Sequence, residues 1–140
     1  MGSNVAVEQG RARLYWASVA LVVIQVIHAS IPAETDAEGY FGLVAGLVAL
    51  IAGLASIYGL KLGRSWARPI AGTTGISVAI GFLLYHSLPI TSSFTNPYWD
   101  EPKIGALQWA PVIACIAIGL WTAYEAFLAP RPIRDTAPVI

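Results

Sequence analysis

The chain has 140 residues, of which 56% are hydrophobic and 11% charged, with eight Lys and Arg balanced by eight Asp and Glu. A typical soluble domain is about 25% charged, so the composition argues against an ordinary water-soluble enzyme, and the length leaves no room for a soluble catalytic domain beside a membrane part. Zero net charge gives no basic surface for nucleic acid, and the single cysteine, Cys115 within an apolar run, excludes an intramolecular disulfide and a multi-cysteine metal site.

Residues 1–13 are polar and carry Arg11 and Arg13 just ahead of an apolar stretch. Such an opening also begins a signal peptide, and Ala29 and Ser30 stand where a cleavage site would fall. The stretch is long for a signal core, however, and is expected to be kept as a first helix. Ala6 occupies the position where the myristoylation pattern needs Ser or Thr.

A helix needs roughly 20 predominantly apolar residues to cross the hydrocarbon. Four segments meet this, at about 14–31, 40–60, 69–88 and 104–128. Strand-like alternation is absent, and backbone amides cannot stay unpaired in lipid, so helices are the expected spanning structure. The connectors fit: an acidic one with Glu34, Asp36 and Glu38, a short basic one with Lys61 and Arg64, and a longer turn-rich one before Lys103. The expected fold is an all-α membrane protein, a four-transmembrane-helix up-down bundle, with tails at 1–13 and 129–140.

Lys and Arg are retained on the cytoplasmic side near span ends. Arg11, Arg13, Lys61, Arg64, Arg68, Arg131 and Arg134 would all fall on one side of such a bundle, with Lys103 on the other. Both termini are therefore expected in the cytoplasm, and the location is expected to be a bacterial plasma membrane. The outer side would carry Glu34, Asp36, Glu38, Asp100 and Glu101. Tyr15, Trp16, Tyr58, Trp66, Trp121 and Tyr124 mark an inner aromatic band, and Tyr40, Tyr85, Tyr98, Trp99 and Trp109 an outer one, at the depths where amphipathic rings prefer the headgroups.

Helices already in lipid pack through small residues. The second span offers Gly42, Gly46, Ala49 and Gly53, the third Gly75 and Ala79, and the fourth Ala106, Ala110 and Ala114. Pro111 removes one hydrogen bond from the fourth span and is expected to bend it. The two halves also share a faint pattern, His28-Ala-Ser-Ile-Pro32 closing span one and His86-Ser-Leu-Pro89 closing span three, as a duplicated hairpin would.

His28 and His86, the only histidines, are brought by this topology to the outer end of the membrane. His28 shares a face with Gln25 and Ser18, and His86 follows Gly75 and Ala79 on the small-residue face. Imidazole suits copper, zinc and haem iron, so the two histidines are the candidate metal ligands. Neither belongs to a spaced ligand motif, and the plain alternative is hydrogen bonding near interfacial helix ends. In span four Gln108, Cys115 and Thr122 recur every seven residues, with Glu125 one turn further, which reads as interhelical hydrogen bonding or as a conduction path. Glu125 lies near the cytoplasmic end, where it is expected to be solvated or paired with Arg131.

There is no Gly-rich phosphate loop, no His-Glu-x-x-His and no Gly-x-Ser-x-Gly, and no catalytic constellation is expected. The segment 91–102, with Tyr98, Trp99, Asp100 and Glu101 between Pro97 and Pro102, has the character of a recognition surface or of an interfacial anchor. Together with Gly42 and Gly46 these four residues are the candidate partner contacts. The expected role is a non-catalytic accessory subunit that packs against other integral membrane subunits, in an oxidoreductase assembly as one case. A metal- or haem-binding membrane protein built on His28 and His86, and a small oligomeric transporter or channel, are the alternatives.

Overall fold

The computed structural model describes residues 2–31, 40–89, 97–99 and 101–129. The acidic connector with Glu34, Asp36 and Glu38, the residue Asp100, and the tail with Arg131 and Arg134 lie outside the described residues. Four α-helices follow in order: α1 Gly2–Ser30, α2 Tyr40–Lys61, α3 Ala67–Phe82 and α4 Ala106–Phe127. A single π-helical turn, Leu83–Ser87, extends α3. All four helices are long and apolar enough to cross a membrane, α3 together with its π turn. α1 begins at Gly2, well before the apolar run starts, so residues 2–13 are helical.

The surface is that of a protein in lipid. Leu43, Leu47, Val48, Ile51, Ile113, Leu120 and many other large apolar side chains point outward. The interior is built from small and mildly polar residues: Ala17, Ser18, Ser56, Ala67, Ala71, Ala79, Cys115, Thr122 and Ala126 are all buried. Small side chains let helix backbones approach closely where burial of apolar surface offers little drive.

The most extensive contact joins α3 and α4, followed by α1 with α4, α2 with α3, and α1 with α2. A Cβ built on Gly75 would stand 2.6 Å from the Gly119 carbonyl oxygen, and one on Gly119 would stand 2.7 Å from that of Gly75. Gly72 faces Phe127 and Ala126 in the same seam. The small face of α3 is thus the expected Gly75–Ala79 stripe. That of α4 is not the expected one: Ala106 and Ala110 are exposed, while Val112, Cys115, Gly119, Thr122 and Ala126 are buried.

The turn after α2 shows why the chain reverses there. Gly63 has φ +68°, the left-handed conformation that costs a glycine nothing. The Gly63 amide donates to the Leu60 carbonyl at 3.1 Å and the Arg64 amide to that of Gly59 at 2.8 Å, the two bonds of a Schellman cap. Gly59 lies against Trp66 and Ala67, which closes α3 onto α2. α4 runs as one helix through Pro111, which is buried. At its start the Gly105 amide donates to the Gln108 side-chain oxygen at 3.0 Å, so Gln108 caps α4 instead of extending the buried stripe of Cys115 and Thr122.

Candidate histidine and aromatic site

His28 stands in the last turn of α1 and His86 in the π turn that follows α3. Their ring centres are 5.2 Å apart, edge to face. A π turn holds one more residue than an α turn and rotates the side chains that follow it. His86 is 7% exposed and faces the bundle, on the side of Gly75 and Ala79 as its spacing from them leads one to expect. On α1, Gln25 is buried beneath His28 and donates to the Leu21 carbonyl at 3.3 Å.

An aromatic wall surrounds the pair. The Phe82 ring lies 4.7 Å from His28 and 5.6 Å from His86. Tyr85 lies 4.8 Å and Tyr98 4.3 Å from the His86 ring. Tyr98 and Trp99 each meet Trp109, at 5.6 and 4.7 Å. Packed edge-to-face and tilted rings of this kind contribute about 0.5–1.5 kcal/mol per pair beyond the area they bury.

The segment 97–99 is tied to the π turn through its backbone. The Tyr98 amide donates to the His86 carbonyl at 3.1 Å, and the Trp99 indole N–H donates to the Ser87 carbonyl at 2.6 Å. These bonds satisfy carbonyls that a helix end leaves without partners. Tyr98 is 3% exposed, and burial, with the Tyr85 phenol adding, pushes its hydroxyl up to about 12. It therefore keeps its proton throughout the physiological range. Of the expected recognition residues, Tyr98 is spent inside the protein, Glu101 is half-buried, and Trp99 is broadly exposed at 61%.

The two small-residue candidates on α2 differ as well. Gly42 lies against the Tyr85 ring and so belongs to the wall of this site, whereas a Cβ on Gly46 would meet nothing within 4 Å. The matching sequence around the two histidines does not produce matching geometry. α1 ends as an α-helix with the Ile31 amide on the His28 carbonyl at 3.2 Å, while the equivalent end of α3 is the π turn.

Two imidazoles on one tetrahedral ion, each nitrogen about 2 Å from the metal, hold their ring centres about 5 Å apart. The observed 5.2 Å matches that spacing, and it equally matches two rings packed edge to face. Among the described residues, no group of three or more His, Cys, Asp and Glu side chains gathers where it could hold a metal ion.

At the opposite end, Arg68 reaches from the first turn of α3 to the last turn of α4. Its Nε donates to the Ala126 carbonyl at 2.6 Å and its Nη2 to the Glu125 carbonyl at 2.9 Å. Glu125 is 5% exposed, so the expected solvated position is corrected, while the expected pairing with Arg131 lies outside the described residues. Its Oε1 accepts from the Trp121 indole at 3.3 Å, and its buried Oε2 has no hydrogen bond among the described residues. The helix-to-helix clasp by Arg68 was not foreseen, because the sequence marks this residue only as one basic group among several near span ends.

Fold and site together define an all-helical chain with four apolar, membrane-length helices and a histidine–aromatic cluster at one end of the bundle. Comparison with protein-family models, with curated proteins and with solved structures finds no match.

Proposed function

We propose that this protein is a non-catalytic accessory subunit of a larger membrane complex, a four-helix up-down bundle in a bacterial plasma membrane with both termini in the cytoplasm. The observation that carries the subunit reading is Gly46, in the first half of α2, where a Cβ would meet nothing within 4 Å among the described residues. A glycine inside a helix costs about 0.5–1 kcal/mol relative to alanine, and in membranes such positions serve close helix approach. Its neighbours Leu43, Leu47 and Ile51 are exposed around it. The interior supports a structural role too: Ser18, Ser56 and Thr122 each spend their hydroxyl on a carbonyl of their own helix, at 2.9, 2.7 and 2.8 Å.

The orientation is supported by the charges. Arg11, Lys61, Arg64 and Arg68 gather at the end opposite the histidines, and retention of basic residues on the cytoplasmic side supports a cytoplasmic position for that end. The up-down order is supported by the contacts of α1 with α2, α2 with α3, and α3 with α4, with Gly42 at the start of α2 against Tyr85 at the end of α3.

The test is native electrophoresis after extraction in a mild detergent. The chain should migrate in a species larger than itself, and Gly46→Leu should release it while leaving its helicity intact. Migration as the free chain, or an unchanged complex in the variant, sinks the reading.

A second reading, a copper or zinc site at His28 and His86, is favoured by the 5.2 Å spacing of the rings. Cobalt(II), a spectroscopic substitute for zinc, should give tetrahedral absorption bands in the wild-type protein and none in His28→Phe or His86→Phe. Bands that survive both substitutions would place any metal elsewhere.

A further inference from the structure

A cleft of about 400 Å³ opens between α1 and the end of α2, far from the histidines, and is lined by Glu8, Arg11, Ala12, Tyr15, Leu60 and Lys61. Two cations from different helices therefore face one space. The position of Arg11 has an independent marker: its Nη1 lies 3.3 Å from where a Cβ on Gly63 would sit, so the guanidinium reaches over the turn that follows Lys61. Among the described residues neither the Arg11 nor the Lys61 side chain has a hydrogen bond or ion pair. Glu8, one helical turn before Arg11, is exposed and has no ion pair there either.

The two cations outnumber the single carboxylate of the cleft, Glu8, so the lining keeps a net positive charge that attracts a further anion. The depth of the cleft says which anion. Trp16 follows Tyr15 on α1, Tyr58 precedes Leu60 on α2, and both rings are exposed, the placement of amphipathic side chains at the headgroup level. Leu60 is buried and Tyr15 half-buried, so an apolar base and a phenol lie beneath a charged mouth. Basic pockets between helix ends at this level match the phosphate of an anionic lipid. We infer that the cleft holds the phosphodiester headgroup of one anionic glycerophospholipid between Arg11 and Lys61, with Tyr15 beside it. The inference rests on the chain lying in a bilayer and not on the accessory role, so the electrophoresis above and the lipid titration below fail independently.

Native mass spectrometry of the full chain, released from detergent and titrated with phosphatidylglycerol or phosphatidylcholine, tests it. The wild-type protein should take up one phosphatidylglycerol about thirtyfold more tightly than phosphatidylcholine. Each basic residue near the surface contributes about fivefold, so Arg11→Gln should weaken the preference about fivefold and the Arg11→Gln/Lys61→Gln pair about thirtyfold. Arg13→Gln, exposed and outside the cleft, should leave it unchanged. The exchange variant Arg11→Lys/Lys61→Arg keeps both charges and should keep the preference, which guards against misfolding in the neutral pair. Equal uptake of the two lipids, full preference in the neutral pair, loss in Arg13→Gln equal to that in Arg11→Gln, or displacement of the lipid by millimolar inorganic phosphate would each overturn the assignment.

Discussion

Gly75 and Gly119 meet backbone to backbone, each close enough that a methyl group on one would fall within 2.7 Å of the other's carbonyl oxygen. The obstructing atoms belong to the main chain and cannot rotate away, so any larger side chain must push α3 from α4. Overpacking of this kind costs about 1–3 kcal/mol. Gly75→Ala should lie near the lower end and Gly75→Leu at or beyond the upper one, read from reversible unfolding in mixed micelles. Gly46→Ala, at an open position, should be neutral or stabilising by up to about 1 kcal/mol. Equal losses at the two sites would remove the α3–α4 seam from the account of stability.

Arg68 carries the second prediction. Its guanidinium donates to two carbonyls at the end of α4, groups that have no partner within their own helix. Hydrogen bonds from a charged donor contribute about 1.5–3 kcal/mol, so Arg68→Met should destabilise the bundle by roughly that amount. Arg68→Lys should recover only part of it, because an ammonium lacks the planar fork that spans two neighbouring carbonyls. Denaturation of both variants in the same detergent checks the order.

The four helices were legible because length and hydropathy depend on the run of apolar residues and on little else. The meeting of His28 with His86 was legible for a related reason, since two spans separated by one return bring their ends to the same side of the membrane. What faces inward was harder to read. A helix apolar all round has no amphipathic period, so Ala106 and Ala110 looked as suitable for packing as Gly119 does in fact. The π turn at Leu83–Ser87 adds one residue to one helical turn, and nothing in the composition of Leu-Leu-Tyr-His-Ser marks it. Gln108 matched a seven-residue spacing but sits three residues after Gly105, and that shorter spacing, a capping one, was the signal that decided its role.

Tyr98 supplies a titration with a definite sign. Its hydroxyl is raised from 10 to about 12 by burial, with Tyr85 second. A raised folded value means that the native protein holds its proton more tightly than the unfolded chain does. The contribution is complete below pH 10 and is lost as the pH climbs toward about 12. Absorbance at 295 nm, wild type minus Tyr98→Phe, should show one phenol with a midpoint near 12. Unfolding in alkali should begin within that same window, and less steeply in the Phe variant. A difference midpoint at 10 would mean that the ring is open to water and not packed on His86.

The histidine pair can be tested apart from any metal by a double-mutant cycle. Edge-to-face rings at 5.2 Å imply a coupling of about 0.5–1.5 kcal/mol between His28 and His86 in metal-free protein. Each is replaced by Leu, singly and together, and stability is measured with chelator present. A ligand bound only by the native state adds about 2.7 kcal/mol at a concentration one hundred times its dissociation constant. Adding zinc should therefore raise the apparent coupling well beyond the aromatic range if both rings hold the ion, since either single substitution removes the stabilisation and the second removes no more. A coupling that stays within about 1.5 kcal/mol at saturating zinc assigns the pair to packing alone, and leaves Phe82, Tyr85 and Tyr98 as the reason two imidazoles are tolerated side by side in the membrane.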